Sequence, residues 1–172
     1  MSDFFSGVHL HLLVNHAPVF GSLLALALLV ASLRFAPDAY RRAAFVFLIF
    51  TGIAAFIADQ SGDSAEDAVR GLPGIRRELI HEHEESAEKA LIAATIVGVI
   101  ALGALVRWRR AAVPRGATLV VLGGAAVVSG MMAYTALLGG RVRHTEVRPG
   151  AVAADAITVE PPPPPRDGGR KD

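Results

Sequence analysis

Four apolar stretches alternate with polar connections along the chain, and the middle of each lacks the polar stripe that a helix of a soluble bundle turns to water. Residues 17–33 form the core of the first, and residues 10–14 ahead of them bring it to roughly the 20 that a bilayer-crossing helix needs. The second, about 41–58, is the shortest; the third covers about 84–107 and the fourth about 116–138. The pattern predicts an all-α fold, an integral membrane four-helix bundle over residues 1–146. Asn15 followed by Pro18 reads as an N-cap with proline in the first turn, where its missing N–H costs nothing, so the first spanning helix is expected to start near His16. Between spans two and three, SGDSAEDAV offers Asp63 or Ser64 as a cap with Glu66 and Asp67 behind it, and GLPG ends the segment, which predicts a short surface helix there. Residues 147–172 turn to proline, glycine and charge, the composition of a disordered tail.

Composition sharpens this picture at two points. A mean hydropathy of +0.44 is too high for an ordinary soluble domain. The chain has no cysteine, which excludes disulfides, thiolate metal sites, iron–sulfur clusters and thiol catalysis, so a cofactor would have to be held by His, Asp, Glu or Met. A net charge of +1 gives no reason to expect a nucleic-acid partner.

Charge distribution carries the topology. The two short connections hold Arg34, Arg41 and Arg42, then Arg107, Arg109, Arg110 and Arg115, and the positive-inside rule makes both cytoplasmic. The expected location is a bacterial inner membrane, multi-pass, with both termini in the periplasm. Arg141, Arg143 and Arg148 run against this asymmetry. The opening MSDFFSGVH has no basic residue, so a signal peptide is not expected.

Candidate chemistry then collects on one side. His9, His11 and His16 lie at the outer end of span one, His81 and His83 at that of span three, and His144 beyond span four. A single histidine there is an ordinary interfacial residue, but convergence from three helix ends points to a site. Helical spacing ranks them: His83 stands above Ala87, Ala90 and Ala94, and so turns inward, whereas His81 stands above Glu84, Glu85 and Glu88. His16 leads the face of Phe20, Leu23 and Ala27 and is the better internal ligand on span one. Most of the acidic residues form a solvated face, with one or two available to hydrogen-bond the distal nitrogen of a ligating histidine. HEHEE is not a metal signature, and no nucleophile triad or phosphate loop is visible.

His11, His16 and Pro18 in HLLVNHAP, Thr51-Gly52, His83, and Gly139-Gly140 with His144 in GGRVRH together resemble the pattern of a large group of bacterial four-helix membrane proteins catalogued as a domain of unknown function. The match covers about residues 8–146, and the chain has Leu12 and Ala17 where that group often has proline and an aromatic residue. The resemblance implies a four-span domain with His11, His16, His83 and His144 as the residues of interest, and a setting near c-type cytochromes.

Three functions are open on this reading. The first is a haem b protein with His16 and His83 as axial ligands, serving electron transfer with a c-type cytochrome, a quinone or a respiratory complex. The second is a non-haem copper, zinc or iron site built from His11, His16, His83 and His144. The third is a structural accessory subunit. In each case the chain reads as a binding or electron-transfer subunit rather than a stand-alone enzyme.

Overall fold

The computed structural model describes residues 6–35 and 37–150; the tail expected beyond Gly150 lies outside the described residues. Those residues are all-helical: α1 (Gly7–Val14), α2 (Ala17–Ala31), α3 (Pro37–Val69), α4 (Arg77–Arg107) and α5 (Arg115–Arg143), followed by a 3₁₀ turn at Thr145–Val147. Four helices are long and apolar enough to cross a membrane, α1 and α2 counting together as one over Gly7–Ala31. They close into a ring in which α2 packs on α3, α3 on α4, α4 on α5 and α5 back on α2, while α1 lies against α3.

Only 28–33% of each spanning stretch is buried within the chain. Phe20, Val46, Ile53, Val99, Val120 and Val127 point outward from the bundle, and the fold needs an apolar solvent around it. The interior is built from small side chains, among them Ala25, Ala44, Ala94, Ala101 and Ala125, with Phe45, Leu29 and Leu48 as the large members.

Two boundaries differ from expectation. Asn15 does not cap the first span; it closes α1 in a helical conformation, its N–H donating to His11 O at 2.8 Å, and His16 occupies the cap position of α2. The join is caused by Pro18, which has no N–H for the carbonyl of Val14 and whose ring crowds it. The short surface helix between spans two and three is not a separate element, because residues 63–69 are the last turns of α3. No proline interrupts that stretch, a single interior glycine, Gly62, costs only about 1 kcal/mol, and Glu66 pairs with Arg70 one turn on. At about 1.5 Å per residue α3 is about 50 Å long, well beyond the ~30 Å hydrocarbon layer, so one end projects. The chain then reverses through GLPG, where Gly71 and Gly74 take positive φ (86° and 81°), a conformation side-chain-bearing residues rarely adopt.

At the end of the bundle that carries the two short connections, Arg42 does more than add charge. Its Nε donates to Asp38 at 2.7 Å and its Nη2 to the carbonyls of Trp108 and Ala111 at 2.8 and 2.7 Å, and Asp38 in turn accepts from the N–H of Val113 at 2.8 Å. Arg41 donates to Val113 O at 2.7 Å. A guanidinium thus takes up carbonyls left open at the end of α4, where the helix dipole also favours it. Arg42→Ala is expected to cost about 2–4 kcal/mol, since several charge-assisted bonds go at once, and to lower the thermal midpoint in detergent. Exposed Arg109→Ala, which removes the same charge from the same end, should leave the midpoint in place; equal losses would mean that charge alone matters.

Candidate functional site

The opposite end of the bundle is where α1, the end of α3, the start of α4 and the end of α5 meet. His11, on α1, donates from Nδ1 to the main-chain oxygen of Ala58 on α3 at 2.9 Å, with Ser61 Oγ at 3.4 Å. Ser61 itself donates back to the carbonyls of Ile57 and Ala58. His83, on α4, donates from Nδ1 to Thr135 O of α5 at 3.1 Å, and one turn on, Ser86 and Thr135 join their hydroxyls at 2.7 Å.

These partners decide the tautomers. A carbonyl oxygen only accepts, so Nδ1 carries the proton in both rings, and in the neutral imidazole Nε2 is left with its lone pair. His11 and His83 are near enough for a charge on one to act on the other. The room for the His83 ring is provided by Gly139: a Cβ added there would lie 3.0 Å from Cε1 and 3.3 Å from Nδ1 of the imidazole.

The other candidates lie elsewhere. His83 does turn inward above buried Ala90 and Ala94, as its spacing predicts. His16 does not; it is exposed, its Nδ1 is hydrogen-bonded to its neighbour Asn15, and the face it leads, with Phe20 67% and Leu23 45% accessible, looks out of the bundle. The reason is the register of α2, whose inward positions are Pro18, Gly21, Ser22, Ala25 and Leu29. His144 is exposed and pairs with Glu146 at 2.9 Å; the Glu146 carboxyl is held below its usual range by its own main-chain N–H and then by His144. His9 meets Ser6 Oγ at 2.8 Å, and His81 reaches Glu85 at 3.3 Å. Among the described residues no three His, Asp or Glu side chains come together in a way that could hold a metal ion, so the four-histidine set is not gathered.

Of the four candidate ligands, His144 has a carboxylate partner, Glu146, while His11 and His83 do not. Main-chain carbonyls fill that place at His11 and His83, while Glu66 and Glu84 line a cleft of about 250 Å³ shared with Arg70, Arg77, Ile80 and His81. Thr135 and Gly139 are the participants that sequence reasoning missed in this role. Their signal is a hydroxyl and a glycine four residues apart on one face of the last span.

No family model matches the chain, and no curated protein or solved structure matches it either. Of the residues that prompt the resemblance, some sit at helix contacts, whereas His16 and His144 are exposed and Gly140 has open space beside it. Thr51 lies against Gly21, Gly52 against the backbone of Ala94, Gly139 against His83 and His11 against Ala58.

Gly139→Ala is expected to push the His83 ring off Thr135 O and to destabilise the bundle by about 1–3 kcal/mol, the usual cost of overpacking. Gly140→Ala, where an added Cβ meets nothing within 4 Å, should be neutral. Thermal unfolding of both variants in detergent checks the pair; equal midpoints would mean that the ring has room to move aside.

Proposed function

We propose that the chain is a multi-pass protein of a bacterial inner membrane that takes part in electron transfer by binding haem b through His11 and His83 at its periplasmic end. The observation that carries the reading is the shared Nδ1-to-carbonyl bonding of the two imidazoles, which leaves Nε2 of each as the metal-binding nitrogen. The pairing of His16 with His83 does not fit, because His16 looks outward.

Donor count favours haem over a bare ion. Copper, zinc or iron held by protein alone takes three or four donors, and no such group of His, Asp or Glu forms among the described residues. Two imidazoles complete a haem iron, because the macrocycle supplies the remaining nitrogens. Haem when bound supplies one-electron chemistry; the chain fixes the ligand tautomers and keeps the Gly139 side open for one ring. The arginines of the two short connections support a cytoplasmic position for that end and a periplasmic one for the histidines. A c-type cytochrome or a quinone is the proposed exchange partner.

One observation favours a second reading, the structural accessory subunit. The same two bonds tie α1 to α3 and α4 to α5, so the imidazoles serve as clasps whether or not anything binds Nε2.

The test is the absorption spectrum of the detergent-purified full chain, expressed with ample haem, first oxidised and then reduced with dithionite. A Soret band with sharp reduced α and β bands is expected in the unaltered protein and in His16→Gln, and is expected to vanish in His11→Gln and His83→Gln. A colourless unaltered protein overturns the haem assignment. Metal analysis then decides: one equivalent of copper, zinc or iron lost in His83→Gln leaves the non-haem site, and no metal leaves the accessory subunit.

A further inference from the structure

Arg141 is a half-buried guanidinium with no acceptor among the described residues: its Nε is sealed from solvent, and no carboxylate or carbonyl takes any of its protons. Arg41 Nε is sealed in the same way, but the Nη1 of that side chain donates to Val113 O. The contrast of Arg141 with its neighbours is plain. Arg42 is engaged by Asp38 and two carbonyls, Arg70 by Glu66, and Arg148 by the main-chain oxygens of Arg141, Val142 and Gly74. The helix dipole explains a cation in the last turn of α5; it does not explain why the fork of donors has nothing to hold.

Position supplies the missing partner. Arg141 follows Leu137 by four residues and Tyr134 by seven, so it stands on their face of α5, and both are exposed (47% and 56%) on the outside of the bundle. A helix of 29 residues is about 43 Å long and overreaches the ~30 Å hydrocarbon layer, which puts its last turn at headgroup depth. An arginine at that depth with an aliphatic stem over the acyl region and its planar fork at the surface matches two oxygens of a phosphodiester. Charge agrees: Arg143 and Arg148 stand within the next two turns, Arg148 is bonded to carbonyls alone, and Glu146 is engaged by His144. Among the described residues after the last span, three arginines therefore stand against one carboxylate, that of Glu146, on which Arg148 also acts.

We propose that Arg141, with Arg148 beside it, holds the phosphate of an anionic bilayer phospholipid at this edge of the bundle. The site is independent of the histidine pair. It also gives the three arginines after the last span, which oppose the charge asymmetry of the chain, a task other than orientation.

Native mass spectrometry of the detergent-purified full chain titrated with phosphatidylglycerol or phosphatidylcholine tests it. Phosphatidylglycerol is expected to remain bound in preference to phosphatidylcholine. Arg141→Gln should weaken its retention about tenfold, the worth of one charge-assisted pair; Arg141→Lys should fall between, and exposed Arg143→Gln should match the unaltered protein. Equal retention by Arg141→Gln, or no preference between the two lipids, overturns the proposal. So does displacement by millimolar inorganic phosphate, which would make this a free-anion site. A gain in retention of about tenfold after removal of residues 151–172 would overturn it as well, because a tail carboxylate would then be the occupant. Should Arg141→Gln fail to fold, Arg141→Lys against the unaltered protein decides the same question: undiminished retention overturns the proposal, and weaker retention supports it.

Discussion

A Cβ added to Gly98 would lie 3.3 Å from the main-chain oxygen of Leu48, and one added to Gly52 would lie 3.4 Å from that of Ala94. This close approach of α3 and α4 is the contact on which the rest of the bundle depends. In lipid an apolar side chain gains nothing by leaving acyl chains for protein, so helices stay together through dense backbone contact and hydrogen bonds. The chain supplies the first with glycine and alanine along its middle, including Gly21 against Thr51 and Gly124 against Val97. It supplies the second at the two ends.

The division between middle and ends follows from the cost of polar groups at depth. Ser22, Thr51 and Thr118 are fully buried, and each returns its hydroxyl to a carbonyl three or four residues back along the chain, so none of the three reaches across; buried Ser129 is the exception, its hydroxyl having no acceptor among the described residues. Interhelical hydrogen bonds gather where water and headgroups begin: Arg41 and Arg42 at one end, His11, His83 and the Ser86–Thr135 pair at the other. The apolar middle sets the helices side by side and the ends set their register. A candidate site at an end is thus a consequence of the same constraint that keeps the centre free of charge.

The spans are legible in the sequence because hydropathy over about 20 residues is a coarse and strong signal. The inward turn of His83 is legible because three alanines on its helical face admit close packing. His16 misleads for a reason of the same kind. On α2 the face that looks orderly, Phe20, Leu23 and Ala27, is the one offered to lipid, and in a membrane bundle large apolar side chains mark the outside as readily as the inside, so small residues such as Gly21 and Ala25 are the better guide. The surface helix is not where its cap residues point, because such a residue signals a start only where the chain before it is not already helical, and the helix running through Ala58 simply continues. Arg42 reads in the sequence as a topological charge; its bonds to residues more than sixty positions away have no local signature.

The choice of partner at the two histidines has a chemical consequence under the proposed reading. A carboxylate on the distal nitrogen would add electron density to the ring and strengthen it as a ligand. Ala58 and Thr135 offer neutral carbonyls that lie within helices, and these orient the ring while lending it little charge. Less electron density at the ligand favours the reduced state of a bound iron, and so a higher potential, among the protein-side controls available here. The same carbonyls cannot give a proton or move away, since each belongs to the backbone of a packed helix. His11 and His83 are therefore held in one tautomer by groups that do not titrate, and the ring nitrogen left for a ligand is the same whatever happens to the acidic residues around them.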